Sequence, residues 1–262
     1  MEPRPTAISF QFARESDTFK GIAADVLLQS ELIATMSSTT IENSPASVVS
    51  DSAGGKFVQM SHPLVMHHVT RLRDQNTTPE EFRHLVHRLA VLLAYEATQD
   101  LPVEPHIVQT PMTSATGSRL RGRIGLSPIL RAGLGMVDPV LNLIPDAEVW
   151  HLGLYRDEET AQPVKYYSKL PTDRPVEVAL VLDPMLATGG SAVSALAELY
   201  NWGVRRAKVL SIIASREGVA EVRTQCPDAD IYVCVVDDDL NSQKFIVPGL
   251  GDAGDRTFNT EL

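Results

Sequence analysis

Residues 180–196, "LVLDPMLATGGSAVSAL", predict a buried β-strand that runs into a glycine-bearing loop and then into a helix. The apolar run ends at one carboxylate, Asp183, and the small residues from Ala187 to Ser191 open the helix. A strand followed by a helix is the unit from which parallel sheets are built, and their ligands bind beyond the carboxyl ends of the strands. The loop after Asp183 is therefore a candidate ligand site.

The chemistry of this loop predicts a phosphate group beside a diol. Free N–H groups and the helix dipole favour a phosphate at a helix N-terminus, and glycine lets the backbone approach it. The hydroxyls of Thr188 and Ser191 supply further donors. Asp183 would repel that phosphate, but it is suited to accept hydrogen bonds from vicinal hydroxyls, as acidic residues do for ribose. The alternative is a ligand-free turn capped by Ser191, which the strand–acid–loop–helix order disfavours.

The chain around this stretch alternates between strand and helix patterns. Strands are predicted over residues 123–130, 147–155, 176–182, 207–215 and 229–237. Helices are predicted over residues 78–98, 135–144, 191–203 and 216–226. Repeated β-α-β units predict an α/β fold in which a parallel twisted sheet is flanked by helices.

Two features precede the sheet strands. The helix over residues 78–98 has a clear start in the sequence. Its N-cap is Thr78, its first position is Pro79, and Glu81 completes a capping box. Residues 104–122 predict a hairpin or arm with a tip rich in Ser, Thr and Gly.

Arginines follow two further strands of the predicted sheet. Arg131 comes directly after "SPIL", and Arg156 comes directly after "WHLGLY". Guanidinium groups pair bidentately with phosphate oxygens, so two of them at neighbouring strand ends predict a polyphosphate site. Either arginine alone is more typical of a surface ion pair. Residues 157–170, which include Lys165 and Lys169, predict a mobile flap over the site.

The C-terminal stretch "FIVPGLGDAGDRTF", residues 245–258, is rich in glycine and carries Asp252 and Asp255. Ordering glycine costs backbone entropy, so a plain tail of this composition is unfavourable. A loop whose main-chain N–H and C=O groups read the edge of a small planar ligand would need this composition. A uracil-like ring presents such alternating donors and acceptors.

Composition limits the remaining function classes. The chain has 262 residues and a formal net charge of −10, with no block of consecutive Lys or Arg, which disfavours a nucleic-acid or anionic membrane surface. Cys226 and Cys234 lack metal-ligand spacing and predict reduced thiols in a cytoplasmic protein. His84 and His87 share a helix face but have no third ligand at hand, so no protein metal ligand is predicted.

Residues 1–55 differ from the rest of the chain and predict a flexible or partly helical N-terminal extension before a domain over residues 56–262. Residues 36–55 are rich in Ser, Thr, Ala and Gly, which is typical of a flexible linker. Residues 19–27 carry apolar side chains at helical spacing. Several acidic residues in this region disfavour a transit peptide.

The stretch "VALVLDPMLATGGSA" resembles the phosphoribosyl-pyrophosphate loop of the type I phosphoribosyltransferases, specifically the uracil phosphoribosyltransferase branch, in which a proline follows the acid. Residues 62–98, "PILRAGLGMVDPVL", "GLYRDEETAQPVKYYSKLP" and "VPGLGDAGDRTF" also match that family in order and spacing. The resemblance covers about residues 57–260. It implies a hood or arm beside the sheet and a C-terminal base-binding loop.

The resemblance implies transfer of the phosphoribosyl group from 5-phosphoribosyl 1-pyrophosphate (PRPP) to uracil, giving UMP and pyrophosphate. It implies catalytic roles for Asp183, Arg131 and Asp252. The implied PRPP-binding residues are Arg131, Arg156, Asp183, Pro184, Met185, Leu186, Ala187, Thr188, Gly189, Gly190, Ser191 and Asp252. The implied uracil-binding residues are Ile246, Gly251, Asp252 and Ala253. Mg²⁺ would arrive bound to PRPP, GTP is a candidate activator, and a homodimer or homotetramer is implied.

The sequence departs from the family pattern at a few positions. Asn241 to Ile246 stand where the family usually reads Asn-Glu-x-Gly-Tyr-Ile, so Lys244 replaces a glycine and Phe245 a tyrosine. Asn259 also takes the place of a usual glycine. Two alternatives to this enzyme are a non-catalytic regulator that senses PRPP or UMP, and the same chemistry on another base.

Overall fold

A parallel β-sheet forms the centre of the computed structural model, which describes residues 48–49, 54–156, 163–168, 170–171 and 173–260. These residues belong to one unit, Ser44–Leu262. The helix predicted over residues 19–27, and the linker apart from Val48 and Val49, lie outside the described residues. Fourteen strands are described: β1 (Val48–Val49), β2 (Phe57–Gln59), β3 (Val103–Gln109), β4 (Ser114–Leu120), β5 (Ile124–Pro128), β6 (Glu148–Val149), β7 (Leu152–Arg156), β8 (Pro163–Ser168), β9 (Val178–Leu182), β10 (Met185–Leu186), β11 (Arg206–Ser215), β12 (Asp230–Asp237), β13 (Asp239–Leu240) and β14 (Ile246–Val247).

The described helices are α1 (Pro63–Arg73), α2 (Pro79–Ala97), α3 (Val137–Leu143), α4 (Gly190–Trp202), α5 (Arg216–Gln225) and α6 (Ala253–Phe258), with a 3₁₀ turn at Ala132–Met136. The main sheet has the order β1-β2-β12-β11-β9-β5-β6, and every pair from β2 to β6 is parallel. This confirms the predicted α/β fold with a parallel sheet.

The core lies on both faces of this sheet, as a parallel sheet requires. Every residue of β9 is buried. Leu180 and Leu182 pack in the cluster that includes α1, α2 and α3, whereas Ala179 and Val181 pack in the cluster that includes α4 and α5. The apolar run that ends at Asp183 is therefore a strand covered by helices on both sides.

The structure corrects several predicted elements. The strand predicted over residues 147–155 is two strands, because β6 pairs with β5 in the main sheet while β7 pairs with β8 in a separate hairpin. The helix predicted over residues 135–144 begins as a 3₁₀ turn before α3. The hairpin of β3 and β4 confirms the predicted arm, but its tip is residues 110–113 (TPMT), and the Ser and Gly residues predicted there lie in β4. Helix α2 confirms its prediction, but only half of the capping box is made: the Glu81 N–H donates to Thr78 Oγ1 at 3.3 Å, while the Glu81 carboxylate contacts Arg71.

Candidate active site

The loop between β9 and α4 presents uncapped backbone donors, as its composition predicts. Gly189 is the N-cap of α4, with φ at 82°, and no side chain caps this end of the helix. A Cβ at Gly189 would stand 2.8 Å from the Gly218 carbonyl oxygen and 3.0 Å from the Glu221 Cβ, so the position requires glycine for both its backbone conformation and its space. The first N–H groups of α4 are therefore available for an anion.

A cavity of about 250 Å³ opens beside this loop, and we call it the donor cavity. It is bounded by the ends of β5 and β9, the loop into α4 and the start of α6. Its lining residues are Ile129, Leu130, Arg131, Ala132, Asp183, Met185, Leu186, Ala187, Thr188, Gly189, Gly190, Ser191, Ala192, Asp252 and Gly254. The structure thus brings together around one cavity most of the residues that the sequence assigned to PRPP.

Several predicted site residues do not line the donor cavity. Pro184 is buried, and its carbonyl accepts a hydrogen bond from the Ile213 N–H at 3.0 Å. Ile246 and Ala253 have buried side chains in the core, and Gly251 lies in the turn before α6 with φ at 79°. Any contact of these positions with a base would therefore be through the main chain. The backbone places Arg156 at the end of β7, and its side chain lies outside the described residues.

Asp183 is a buried carboxylate without a cation partner among the described residues. It is 9% exposed, and the hydrogen bond to its side chain comes from the Met185 N–H at 3.3 Å. Burial raises the pKa of Asp183 to about 7, although the Met185 N–H opposes this rise. A carboxylate in this state is poised to accept hydroxyl donors from a ligand, since few protein groups compete for it.

Arg131 lies at the end of β5 and joins the donor cavity to the C-terminal segment. Its Nη2 donates to Asp255 Oδ1 at 2.9 Å, and its side chain remains 59% exposed. Asp252 caps α6, because its Oδ1 accepts from the Asp255 N–H at 2.9 Å. The hydroxyl of Thr260 and the guanidinium of Arg131 lower the pKa of Asp255. Arg131 is thus oriented by Asp255, with a longer contact from its Nη1 to Thr260 Oγ1 at 3.5 Å, and its other N–H groups have no acceptor among the described residues.

Two arginines that the sequence reasoning missed hold the C-terminal segment against α1. Arg73 donates to both carboxylate oxygens of Asp237, at 2.8 and 2.6 Å, and to the Gly249 carbonyl at 2.8 Å. Arg256 donates to the carbonyls of Leu72 and Leu250 at 2.7 Å, and its guanidinium lies 4.4 Å from the Phe82 ring centroid. No local sequence signal marks the contacts of Arg73 with Asp237 and Gly249 or of Arg256 with Leu72, because they join segments far apart in the chain.

Two buried serines of β11 form hydrogen bonds to the loop between β9 and α4, and the sequence reasoning also missed them. Ser211 Oγ accepts from the Leu186 N–H at 3.0 Å. Ser215 Oγ donates to the Ala187 carbonyl at 2.5 Å and accepts from the Gly218 N–H at 2.9 Å. These bonds fix the main chain of the loop, which leaves its front side for a ligand.

The departures from the family pattern preserve the backbone shape that glycine would give. Lys244 has φ at 65° and Asn259 has φ at 54°, both in the left-handed region. Asparagine tolerates this region better than most residues, whereas lysine does not. The Lys244 Nζ lies 3.3 Å from Glu217 Oε1 at the start of α5, an exposed pair of small energetic value.

The described residues offer no site for a metal ion and no helix that could cross a membrane. No group of three or more His, Cys, Asp and Glu side chains is placed to hold a metal ion there. Cys226 and Cys234 are buried and unpaired. None of the described helices combines the length and the apolar character that crossing a bilayer requires.

Comparison with known proteins identifies the relatives of this chain. The family model described as uracil phosphoribosyltransferase matches residues 59–260. A uracil phosphoribosyltransferase of Roseiflexus sp. (strain RS-1) is 57% identical over 199 residues, which are 76% of this chain and 96% of the relative. One of Bacillus thuringiensis (strain Al Hakam) is 52% identical over 208 residues, which are 79% of this chain and 100% of the relative.

One solved structure has a similar fold over most of this chain. The AQ2163 protein from Aquifex aeolicus superimposes with a TM-score of 0.74 at 37% identity, covering 79% of this chain and 99% of that one. The chain belongs to the uracil phosphoribosyltransferase family.

Proposed function

We propose that the chain transfers the 5-phosphoribosyl group of PRPP to uracil, giving UMP and pyrophosphate, and so serves pyrimidine salvage. The observation that carries this proposal is the donor cavity, where an uncapped helix start, a buried carboxylate and an exposed arginine meet. These three groups match the phosphate, the diol and the pyrophosphate of PRPP. Membership of the family supports uracil as the acceptor.

In this proposal each part of the donor cavity has one task. The main-chain N–H groups and hydroxyls from Ala187 to Ser191 bind the 5-phosphate. Asp183 accepts hydrogen bonds from the ribose hydroxyls. Arg131 and Arg156 receive the pyrophosphate, whose negative charge grows as the bond to C1 breaks. The ribose carbon gains positive charge in the same step, as in glycoside cleavage, so a nearby carboxylate such as Asp252 stabilises it.

Uracil would be held by the main chain of Ile246 and of Gly251 to Ala253. The buried side chains of Ile246 and Ala253 favour this mode, because they leave only backbone donors and acceptors for the base. Residues 157–162 and 169 of the flap predicted over residues 157–170 lie outside the described residues. In this proposal the flap would close over the site and exclude water, which otherwise hydrolyses the donor.

Mg²⁺ fits this chemistry as part of the substrate. Asp183 and Asp252 place two carboxylates on one cavity, and oxygen ligands and bound water suit this ion. When bound, Mg²⁺ would neutralise the charge of the pyrophosphate.

Three finer properties complete the proposal. The exposed arm carries apolar side chains, with Ile107 73% and Met112 91% exposed, which supports a homodimer or homotetramer built with this arm. Sedimentation analysis of the full chain and of Ile107→Asp tests it. The family resemblance supports GTP as an activator, and the two unpaired buried cysteines support a cytoplasmic location.

The deciding experiment follows UMP formation from radiolabelled uracil, PRPP and Mg²⁺, with and without GTP. We expect UMP from the wild type and a loss of at least about 10³-fold in Asp183→Asn, because the amide cannot accept both ribose hydroxyls as a carboxylate does. Asp238→Asn is the matched control, since this carboxylate is 72% exposed and pairs with Arg216 outside the donor cavity. PRPP binding without UMP would contradict the proposal and favour the sensor.

A further inference from the structure

We infer that Asp255 is a positioning residue, which fixes the guanidinium of Arg131 relative to Asp252 and thereby holds the pyrophosphate contact and the C-terminal loop as one unit. The inference rests on the proposed function, since it assigns a task within that reaction. Asp255 itself does not line the donor cavity.

Asp255 makes contacts in two directions. Its Oδ1 accepts from Arg131 Nη2 at 2.9 Å and from Thr260 Oγ1 at 2.5 Å. Its main-chain N–H donates to Asp252 Oδ1 at 2.9 Å. One residue therefore joins an arginine at the end of β5 to the acid that caps α6, although Arg131 and Asp255 are 124 positions apart in the chain.

The exposures of the two side chains fit a buried Asp255 that positions an exposed Arg131. The Asp255 side chain is 11% exposed, whereas that of Arg131 is 59% exposed. A guanidinium has five N–H donors, so the bond to Asp255 leaves its outer edge free for phosphate oxygens. An exposed arginine without an anchor samples many rotamers, and an anchored one has less entropy to lose on binding.

The packing around Gly254 shows how closely these groups meet. A Cβ added at Gly254 would stand 3.1 Å from Asp252 Oδ1 and 3.6 Å from Arg131 Nη2. The turn that carries Asp252 and Asp255 therefore lies directly against the guanidinium. A shift of Asp255 would move Arg131 and Asp252 together.

A double-mutant cycle tests the inference. Asp255→Ala, Arg131→Ala and the double variant are compared with the wild type by calorimetric binding of Mg²⁺–pyrophosphate and by the KM for PRPP. We expect Asp255→Ala to weaken pyrophosphate binding and to raise the KM for PRPP, each about 10- to 100-fold. In the Arg131→Ala background, Asp255→Ala should change neither quantity further. Asp255→Asn keeps an oxygen for Arg131 and should stay within about 5-fold of the wild type.

A supporting role for Asp255 in the loop alone would give a different result. The effect of Asp255→Ala would then persist in the Arg131→Ala background, and the two losses would multiply. That outcome would overturn the inference. So would an Asp255→Ala variant that binds pyrophosphate as the wild type does. If Asp255→Ala does not fold, Asp255→Ser enters the same cycle, because its short hydroxyl cannot reach Arg131. Asp238→Asn again serves as the control and should bind pyrophosphate as the wild type does.

The binding measurement separates this inference from the proposed function. Pyrophosphate binding that depends on Asp255 through Arg131, without UMP formation by the wild type, would contradict the enzyme while leaving the positioning contact in place. If the wild type forms UMP but the two fold-losses multiply in the double variant, the proposed function stands and the positioning role of Asp255 is overturned.

Discussion

Asp183 and Lys208 are buried ionisable groups on neighbouring strands of one sheet, and the protein treats them in opposite ways. Lys208 lies near the amino end of β11, with a fully buried side chain. Its Nζ donates to Asp100 Oδ1 at 2.5 Å and to the Ala97 carbonyl at 2.6 Å, and it lies 5.4 Å from the Tyr232 ring centroid. The carboxylate of Asp183, beyond the carboxyl end of β9, accepts one hydrogen bond among the described contacts, from the Met185 N–H.

The group around Lys208, which we call the amino-edge cluster, consists of Lys56, Asp100, Arg206, Lys208 and Asp230. Burial raises the pKa of Asp100, but hydrogen bonds from Lys208, Lys56 and Arg206 outweigh it and hold the pKa well below its usual range. Lys208 also supplies a cation at the C-terminal end of α2, whose own last turn has none. The comparison teaches that paired charges stabilise one edge of the sheet, whereas Asp183 at the other edge has no cation partner among the described residues. The proposed function assigns this carboxylate to the ribose hydroxyls.

The largest stability effect is expected at the amino-edge cluster. Lys208→Met keeps the apolar stem and removes the ammonium. Asp100 keeps Lys56 and Arg206, but it loses its buried hydrogen bond and the Ala97 carbonyl loses its donor, so the fold should be destabilised by about 3 kcal/mol. Lys56→Met removes a partner of the same Asp100 that is 47% exposed, and it should cost less than about 1 kcal/mol. Chemical denaturation measures both, and equal losses would remove the distinction between a buried and an exposed partner.

Asp183→Asn should do the opposite to stability. At pH 8 an ionised Asp183 disfavours the folded state, because its folded pKa of about 7 lies above its ordinary value. The amide removes that cost and should stabilise the protein by about 2 to 4 kcal/mol while abolishing UMP formation. Thermal and urea unfolding at pH 8 test this, and a destabilised variant would mean that Asp183 is a structural group like Lys208.

The contributions of Asp183 and Asp100 to the stability of the fold should also depend on pH with opposite signs. Asp183 has a raised pKa, so its cost disappears as the pH falls from about 7 to 4, and the difference from Asp183→Asn should vanish there. Asp100 has a lowered pKa, so its stabilisation is present above about pH 4 and is lost below it.

For PRPP, kcat/KM should fall about tenfold per pH unit below about 7, because Asp183 must be ionised to bind the diol. A ¹³C carboxylate signal that titrates near pH 7 and is missing in Asp183→Asn would separate this effect from titration of PRPP itself. If no such signal titrates between pH 5 and 8, the donor cavity does not hold Asp183 as described.

Ser215→Ala tests the hydrogen bonds that hold the loop between β9 and α4, at the edge of the sheet that carries Asp183. The change removes the donor to the Ala187 carbonyl and the acceptor for the Gly218 N–H, so the KM for PRPP should rise about tenfold. Ser127→Ala is the matched control, because Ser127 Oγ on β5 is buried without a hydrogen-bond partner among the described groups. Steady-state kinetics of both variants decide whether Ser215 acts through the loop.

The smallest effect concerns Lys244, whose backbone has a positive φ and whose Nζ lies near Glu217. Lys244→Gly should stabilise the fold by up to about 1 kcal/mol, because glycine adopts φ near 65° without a steric penalty. Lys244→Ala keeps the strain and removes the pair with Glu217, so it should bring no gain. Denaturation midpoints of the two variants would contradict this account if they were the same.

The sequence predicts the part of the site that is local in the chain. The strand, Asp183, the glycine turn and α4 follow each other without interruption, so periodicity and loop chemistry predict them together. The break between β6 and β7 was not predictable from the apolar pattern, because it depends on which strand each half pairs with. The short α6 was missed because its Gly and Asp composition is typical of a loop.

The sequence by itself determined the parallel sheet, the glycine turn before α4 and the presence of Asp183 at a strand end, because these depend on residues that are neighbours along the chain. Only the tertiary structure decided that Arg131 meets Asp255, that Arg73 and Arg256 hold the C-terminal segment, and that Lys208 is paired while Asp183 is not. Such contacts join residues more than 100 positions apart, and burial sets their charges. Neither distance nor burial is written in a local pattern.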